Sequence, residues 1–160
     1  MIYRFGPVSR SRLDGVHPAL VEVLQVAINV TGQDFAVDDG LPDDIAERDA
    51  IERGAHWSID PEGLPLDDDW ALSADLAPWV DGGAHWAWPR LCTIAVAVRR
   101  ALDFTNGARV EQGFAPVKVI WGGVGDRDFA TLPADAEGLA AEVAAYLARS
   151  GLGSMDGGEG

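Results

Sequence analysis

The chain has 160 residues, with 26 Asp and Glu against 12 Lys and Arg, a formal charge of −14. That length suits one domain, and a hydrophobic share of 48% with 24% charged residues excludes disorder throughout. No apolar run reaches the ~20 residues of a membrane span; the single cysteine, Cys92, excludes an internal disulfide, and so negative a charge argues against direct nucleic-acid binding.

Residues 1–13 read as an extended arm that turns at Gly6-Pro7, without the apolar h-region of a secretory signal. A helix is predicted over 18–30: Pro18 suits its first position, Gly32 its end, and Leu20, Val23, Leu24, Ala27 and Ile28 recur at helical spacing. Residues 34–37 read as a short strand. A second helix is predicted over 42–53, with Asp43 and Asp44 where the helix dipole favours negative charge. Residues 55–69 read as a loop containing Asp67, Asp68 and Asp69. In 71–77, Leu72, Ala74 and Leu76 alternate with Ser73 and Asp75 as in a strand. A third helix is predicted over 89–103, with Leu91, Ile94, Ala95, Val98 and Leu102 inward. Residues 117–121 read as a strand, 135–149 as a last helix burying Leu139, Val143 and Leu147, and 151–160 as a Gly-rich disordered tail. The sum is an α+β fold, a small single domain of helices around a short, mostly antiparallel sheet.

The charge is concentrated. Residues 34–81 hold 15 acids and two bases, Arg48 and Arg53, and so carry −13 of the −14. Such asymmetry points to a basic partner or a cation, beside the plain reading of a solvated surface.

Few residues offer catalysis by themselves. His17 precedes Pro18 at a helix start and reads as a cap or packing residue. His56 and His85 stand next to Trp57 and Trp86 in predicted loops, and neither has a second histidine at i+4. Cys92 sits in an apolar helical stretch as a small hydrophobe, and Ser73 lacks a glycine elbow. Gly122, Gly123 and Gly125 follow a strand but lack the Lys-Ser or Lys-Thr of a phosphate loop. Trp79, Trp86 and Trp121 are candidates to line a groove for a sugar or peptide, although core packing suits Trp88 and Trp121 better.

The order of motifs is more telling. Phe5-Gly6 to Ser9-Arg10 is followed by Asp14-Gly15-Val16-His17-Pro18, then Gly40-Leu41. Asp75-Leu76-Ala77-Pro78-Trp79-Val80-Asp81-Gly82 comes next, then Trp86-Ala87-Trp88-Pro89, Trp121-Gly122-Gly123 and Leu132-Pro133. Together these resemble the phage endolysin branch of the M15 peptidases, the L-alanyl-D-glutamate peptidases, over residues 5–133. The resemblance implies a fold like that of the D-alanyl-D-alanine carboxypeptidases over 14–150. It also implies a zinc site of two histidines and an aspartate, with a carboxylate to move protons and an arginine to hold substrate.

Carried over residue by residue, that pattern is degenerate. Asp75 matches the ligand aspartate, Asp68 stands at the first histidine and Pro42 at the arginine. Asp126 matches the catalytic acid, and Phe129 stands at the second histidine; a shift by one puts Asp128 there instead. Zinc is therefore not expected, and the oxygen donors of Asp68 and Asp75 suit calcium or magnesium better. The resemblance then implies an inactive peptidase-like protein reused as a structural or assembly module of a phage or prophage-derived particle, made in the host cytoplasm. Its acidic segment would meet a basic face of another virion protein. The alternatives are a peptidoglycan-binding module without hydrolysis and an active stem-peptide peptidase with a rearranged metal site.

Overall fold

The computed structural model describes residues 2–38, 41–45, 48–153 and 155. Its elements are α1 (Pro7–Leu13), α2 (Pro18–Val30), β1 (Phe35–Asp38), α3 (Arg48–Ala55), β2 (His56–Asp60), β3 (Ser73–Val80), β4 (Gly83–Ala84), α4 (Trp88–Glu111), β5 (Lys118–Trp121) and α5 (Ala136–Ser150). Two 3-10 turns, Gly122–Val124 and Phe129–Thr131, separate β5 from α5. The sheet runs β1-β3-β2-β5, and β4 pairs with the far end of β3; all these pairs are antiparallel. The domain is thus α+β, as the patterning predicts.

Helix α4 is the spine. It packs against α2, α5 and β3, and Leu91, Ile94, Ala95, Val98 and Leu102 are buried along it. The periodicity predicts its end near Asp103, but it continues to Glu111. No proline interrupts 104–111, and the loop beyond is tied back to the helix. The Asn106 side chain both donates to the Val117 carbonyl and accepts from the Val117 N–H, while Arg109 Nε donates to the Ala115 carbonyl. Helix α2 starts as predicted. His17 Nδ1 accepts from Ala19 N–H at 3.0 Å, Nε2 bonds the Pro65 carbonyl at 2.6 Å, and the ring is 3% exposed. This bonding makes Nδ1 the acceptor and Nε2–H the donor.

Four local expectations are corrected. Residues 7–13 are not part of an extended arm but helix α1, opened by Pro7, with Ser9 and Leu13 buried. That helix lies along β1, the edge strand, where Ser9 Oγ accepts from Val37 N–H and Arg12 donates to the Val37 carbonyl. Within the predicted loop 55–69, residues 56–60 form β2, with Trp57 and Ile59 buried and alternate residues less so. At the start of the predicted disordered tail, Gly151 takes a left-handed cap, and Leu152 and Met155 pack against the core. Residues 154 and 156–160 lie outside the described residues, as do 46 and 47 of the predicted second helix. The described part of that helix begins at Arg48, after a turn at 42–45.

The β3–β4 hairpin closes through Asp81 (φ 50°) and Gly82 (φ 84°). Asp-Gly with two positive φ values is the turn whose twist matches its strands.

Candidate functional site

Strand β3 carries Asp75, the residue aligned with the ligand aspartate. Register places His56 of β2 opposite it on one side and Asp38 of β1 on the other. Directly opposed residues share a sheet face, so the three form a row across three strands. His56 Nδ1 lies 2.8 Å from Asp75 Oδ1. At the other end, Arg12 Nη1 lies 3.6 Å from Asp38 Oδ1. The row therefore runs Arg12, Asp38, Asp75 and His56, two adjacent carboxylates with a cationic side chain at each end when His56 is protonated.

The hydrogen bond to Asp75 raises the His56 imidazole above its ordinary value of 6.5; partial burial opposes this, and the charges of Asp75 and Glu52 add to it. His56 also lines a cavity of about 380 Å³ with Asp49, Glu52, Arg53, Gly122 and Leu152. Gly122 has a steric reason to be glycine. A Cβ there would stand 2.5 Å from the Arg53 carbonyl oxygen, so the turn after β5 can approach the end of α3 only without a side chain.

The remaining aligned positions do not join this row. Asp68 is exposed in the turn at 67–70, which is fixed by Trp70 N–H donating to the Asp67 carbonyl and by Trp70 packing edge-on to His17 at 4.8 Å. Pro42 opens the turn at 42–45, and Asp126 is exposed in a bend after Gly125. Asp128 caps the second 3-10 turn, accepting from Ala130 N–H at 3.2 Å.

Phe129 is fully buried. Its ring is edge-on to Trp57 at 4.9 Å and to Trp121 at 6.0 Å, and those two indoles stack at 5.3 Å. Trp121 Nε1 donates to the Gly54 carbonyl at 2.7 Å. Trp121 therefore belongs to the core and lines no groove, because an indole with its N–H satisfied is most stable buried between rings. Trp86 is half-buried against the core. Of the three groove candidates, Trp79 is the most exposed, at 36%.

An open catalytic zinc needs three protein donors of nitrogen, sulfur or oxygen. The aligned positions offer an exposed carboxylate, a carboxylate bonded to His56, and a buried phenyl ring. They do not fit that metal. Among the described residues, no three His, Cys, Asp or Glu side chains come together as a group able to hold a metal ion.

Sequence reasoning missed the pairing of His56 with Asp75 and the part of Asp38 and Arg12 in the row. The alternation of Trp57 and Ile59 with His56, Ser58 and Asp60 is the signal that marks β2, and β2 is what sets the pairing.

The phage L-alanyl-D-glutamate peptidase family model matches residues 1–110. The chain belongs to that family, in agreement with the order of motifs that ends α1, opens α2 and runs through β3. Among solved structures, the Serratia marcescens L-Ala D-Glu endopeptidase ChiX is similar at 28% identity and a TM-score of 0.43, covering 71% of this chain and 86% of that one. No curated protein matches the chain.

Proposed function

We propose that this chain is a non-hydrolytic member of its peptidase family, serving as a structural or assembly module of a phage or prophage-derived particle. The carrying observation is Phe129, buried edge-on against the stacked Trp57 and Trp121 where the family pattern has a histidine. A buried phenyl ring can neither bind a metal nor move a proton. Asp68 and Pro42 at two further positions support the same reading, as does Asp75, whose carboxylate is engaged by His56. The scaffold around these positions is retained, so its use is binding. The acidic segment 34–81 is the surface on which a basic neighbour would assemble.

The test is zinc titration by calorimetry, run beside incubation with a stem peptide containing an L-alanyl-D-glutamate bond. Neither stoichiometric zinc binding nor cleavage is expected. One-to-one zinc binding with cleavage would overturn the proposal and favour the rearranged active site. A second reading, a peptidoglycan-binding module, is favoured by the exposed Trp79 ring. Retention of the protein on purified cell walls, lost in Trp79→Ala, would select it.

A further inference from the structure

Helix α4 turns an open strip to solvent along its last three turns. Arg100, Phe104, Gly107, Ala108 and Glu111 are all exposed there. Arg100, Phe104, Gly107 and Glu111 follow one another at steps of four, three and four, the spacing that keeps side chains on one helix face and forms the seam of paired helices. Phe104 is 69% exposed, more than any other large hydrophobic side chain among the described residues. Among those residues neither Arg100 nor Glu111 forms an ion pair. Gly107 stands inside the helix, where glycine is less favourable than any residue but proline. A Cβ built on it would meet nothing within 4 Å. Packing within the chain gives no reason for glycine here, and with Ala108 it leaves a shallow notch one turn from the Phe104 ring.

This pattern is complementary to itself. Laying a second α4 antiparallel across the first, about a two-fold axis between residues 105 and 106, sets Arg100 of each copy opposite Glu111 of the other. The same operation sets each Phe104 opposite the other copy's notch, as a self-complementary two-fold contact requires. One chain cannot make the Arg100–Glu111 contact by itself, because eleven steps of helix hold the two residues about 16 Å apart. The distribution of charge agrees. Residues 82–153 hold seven acids and seven bases, whereas 34–81 carry −13. A second copy seated on 100–111 therefore meets a part of the chain without the acidic excess.

We propose that residues 100–111 of α4 dock a second copy of this chain as an antiparallel helix pair. Phe104 of each copy enters the notch at Gly107 and Ala108 of the other, and two Arg100–Glu111 ion pairs flank the rings. A contact of this length is small beside the ~800 Å² per partner of a stable interface, so the pair comes apart on dilution. The inference goes beyond the non-hydrolytic reading and does not rest on it.

Sedimentation equilibrium of the full chain over a concentration series at physiological salt is the test. A monomer–dimer equilibrium is expected. Phe104→Ala should weaken it about tenfold or more. Val8→Ala, which trims another exposed apolar side chain on α1, should leave it unchanged. Gly107→Gln fills the notch with a better helix former, so it should raise the Tm while weakening association. Arg100→Glu and Glu111→Arg should each weaken association several-fold. Combining both changes in one chain should recover it, and so should mixing the two single variants, because each then faces its complement. Circular dichroism of every variant separates loss of association from loss of fold.

An association untouched by Phe104→Ala, or charge changes that neither the combined variant nor the mixture recovers, would overturn the proposal. A chain that stays monomeric to millimolar concentration would also overturn it, leaving the face to an unlike partner.

Discussion

His56 Nδ1 meets Asp75 Oδ1 at 2.8 Å across the β2–β3 ladder, joining residues 19 apart in the chain. The pair makes stability depend on pH with a definite sign. The folded state holds the His56 proton more tightly than the unfolded chain, so its contribution is complete below the ordinary value of 6.5 and fades as pH rises through the folded value. Both side chains are partly exposed, which limits the effect to about 0.5 kcal/mol. Urea midpoints at acidic and at mildly alkaline pH should therefore show wild type gaining on His56→Gln at the acidic end. An equal difference at both ends would contradict the assignment.

Restoring the two family histidines should not restore a zinc site. Asp68→His would place an imidazole in an exposed turn, and Phe129→His would bury one in the ring cluster formed with Trp57 and Trp121. The second change exchanges an apolar ring for a polar one without a partner, at a cost of about 2–4 kcal/mol. Thermal melting of Phe129→His and zinc calorimetry of the double variant check both halves. The expected result is a lower Tm and no stoichiometric zinc uptake.

Gly122→Ala tests the approach of the turn after β5 to α3. The added methyl would stand 2.5 Å from the Arg53 carbonyl oxygen, which is backbone and cannot rotate away. Destabilisation of about 1–3 kcal/mol is expected. Gly6→Ala, where an added Cβ meets nothing within 4 Å, is the matched control for denaturant unfolding.

Cys92 should be unreactive while the domain is folded. Burial pushes its thiol up to about 12, and its side chain lies inside α4. Iodoacetamide at mildly alkaline pH should label it only on unfolding, so labelling should track the denaturation curve. Rapid labelling of the native protein would show that α4 opens locally.

Elements with a long apolar period were legible in the chain. Helices α2 and α5 lie within a residue of their predicted bounds, because Pro18, His17, Asp135 and Gly151 mark their ends with local chemistry. Strand β2 was hidden because it has only five residues and follows α3 without a break. The length of α4 was hidden because its last turns are held by Asn106 and Arg109 bonding the loop beyond, a tertiary effect invisible in periodicity. At the site, Asp75 was found through its motif. Its partner was not, because the His56–Asp75 contact is created by strand register rather than by spacing along the chain. The fate of Phe129 depends on two indoles from different strands, and Trp57 is the one whose strand was missed.

The seating of α1 on β1 has a further consequence. Ser9 and Arg12 consume the outward-facing N–H and C=O of Val37, so at this residue the edge of β1 is covered by side chains rather than by another strand. An unsealed border of this kind recruits strands from neighbouring molecules. Helix α1 thus takes backbone groups of Val37 with which a strand from another copy would otherwise pair. A chain trimmed before Asp14 would lose that protection together with the core packing of Phe5 and Leu13.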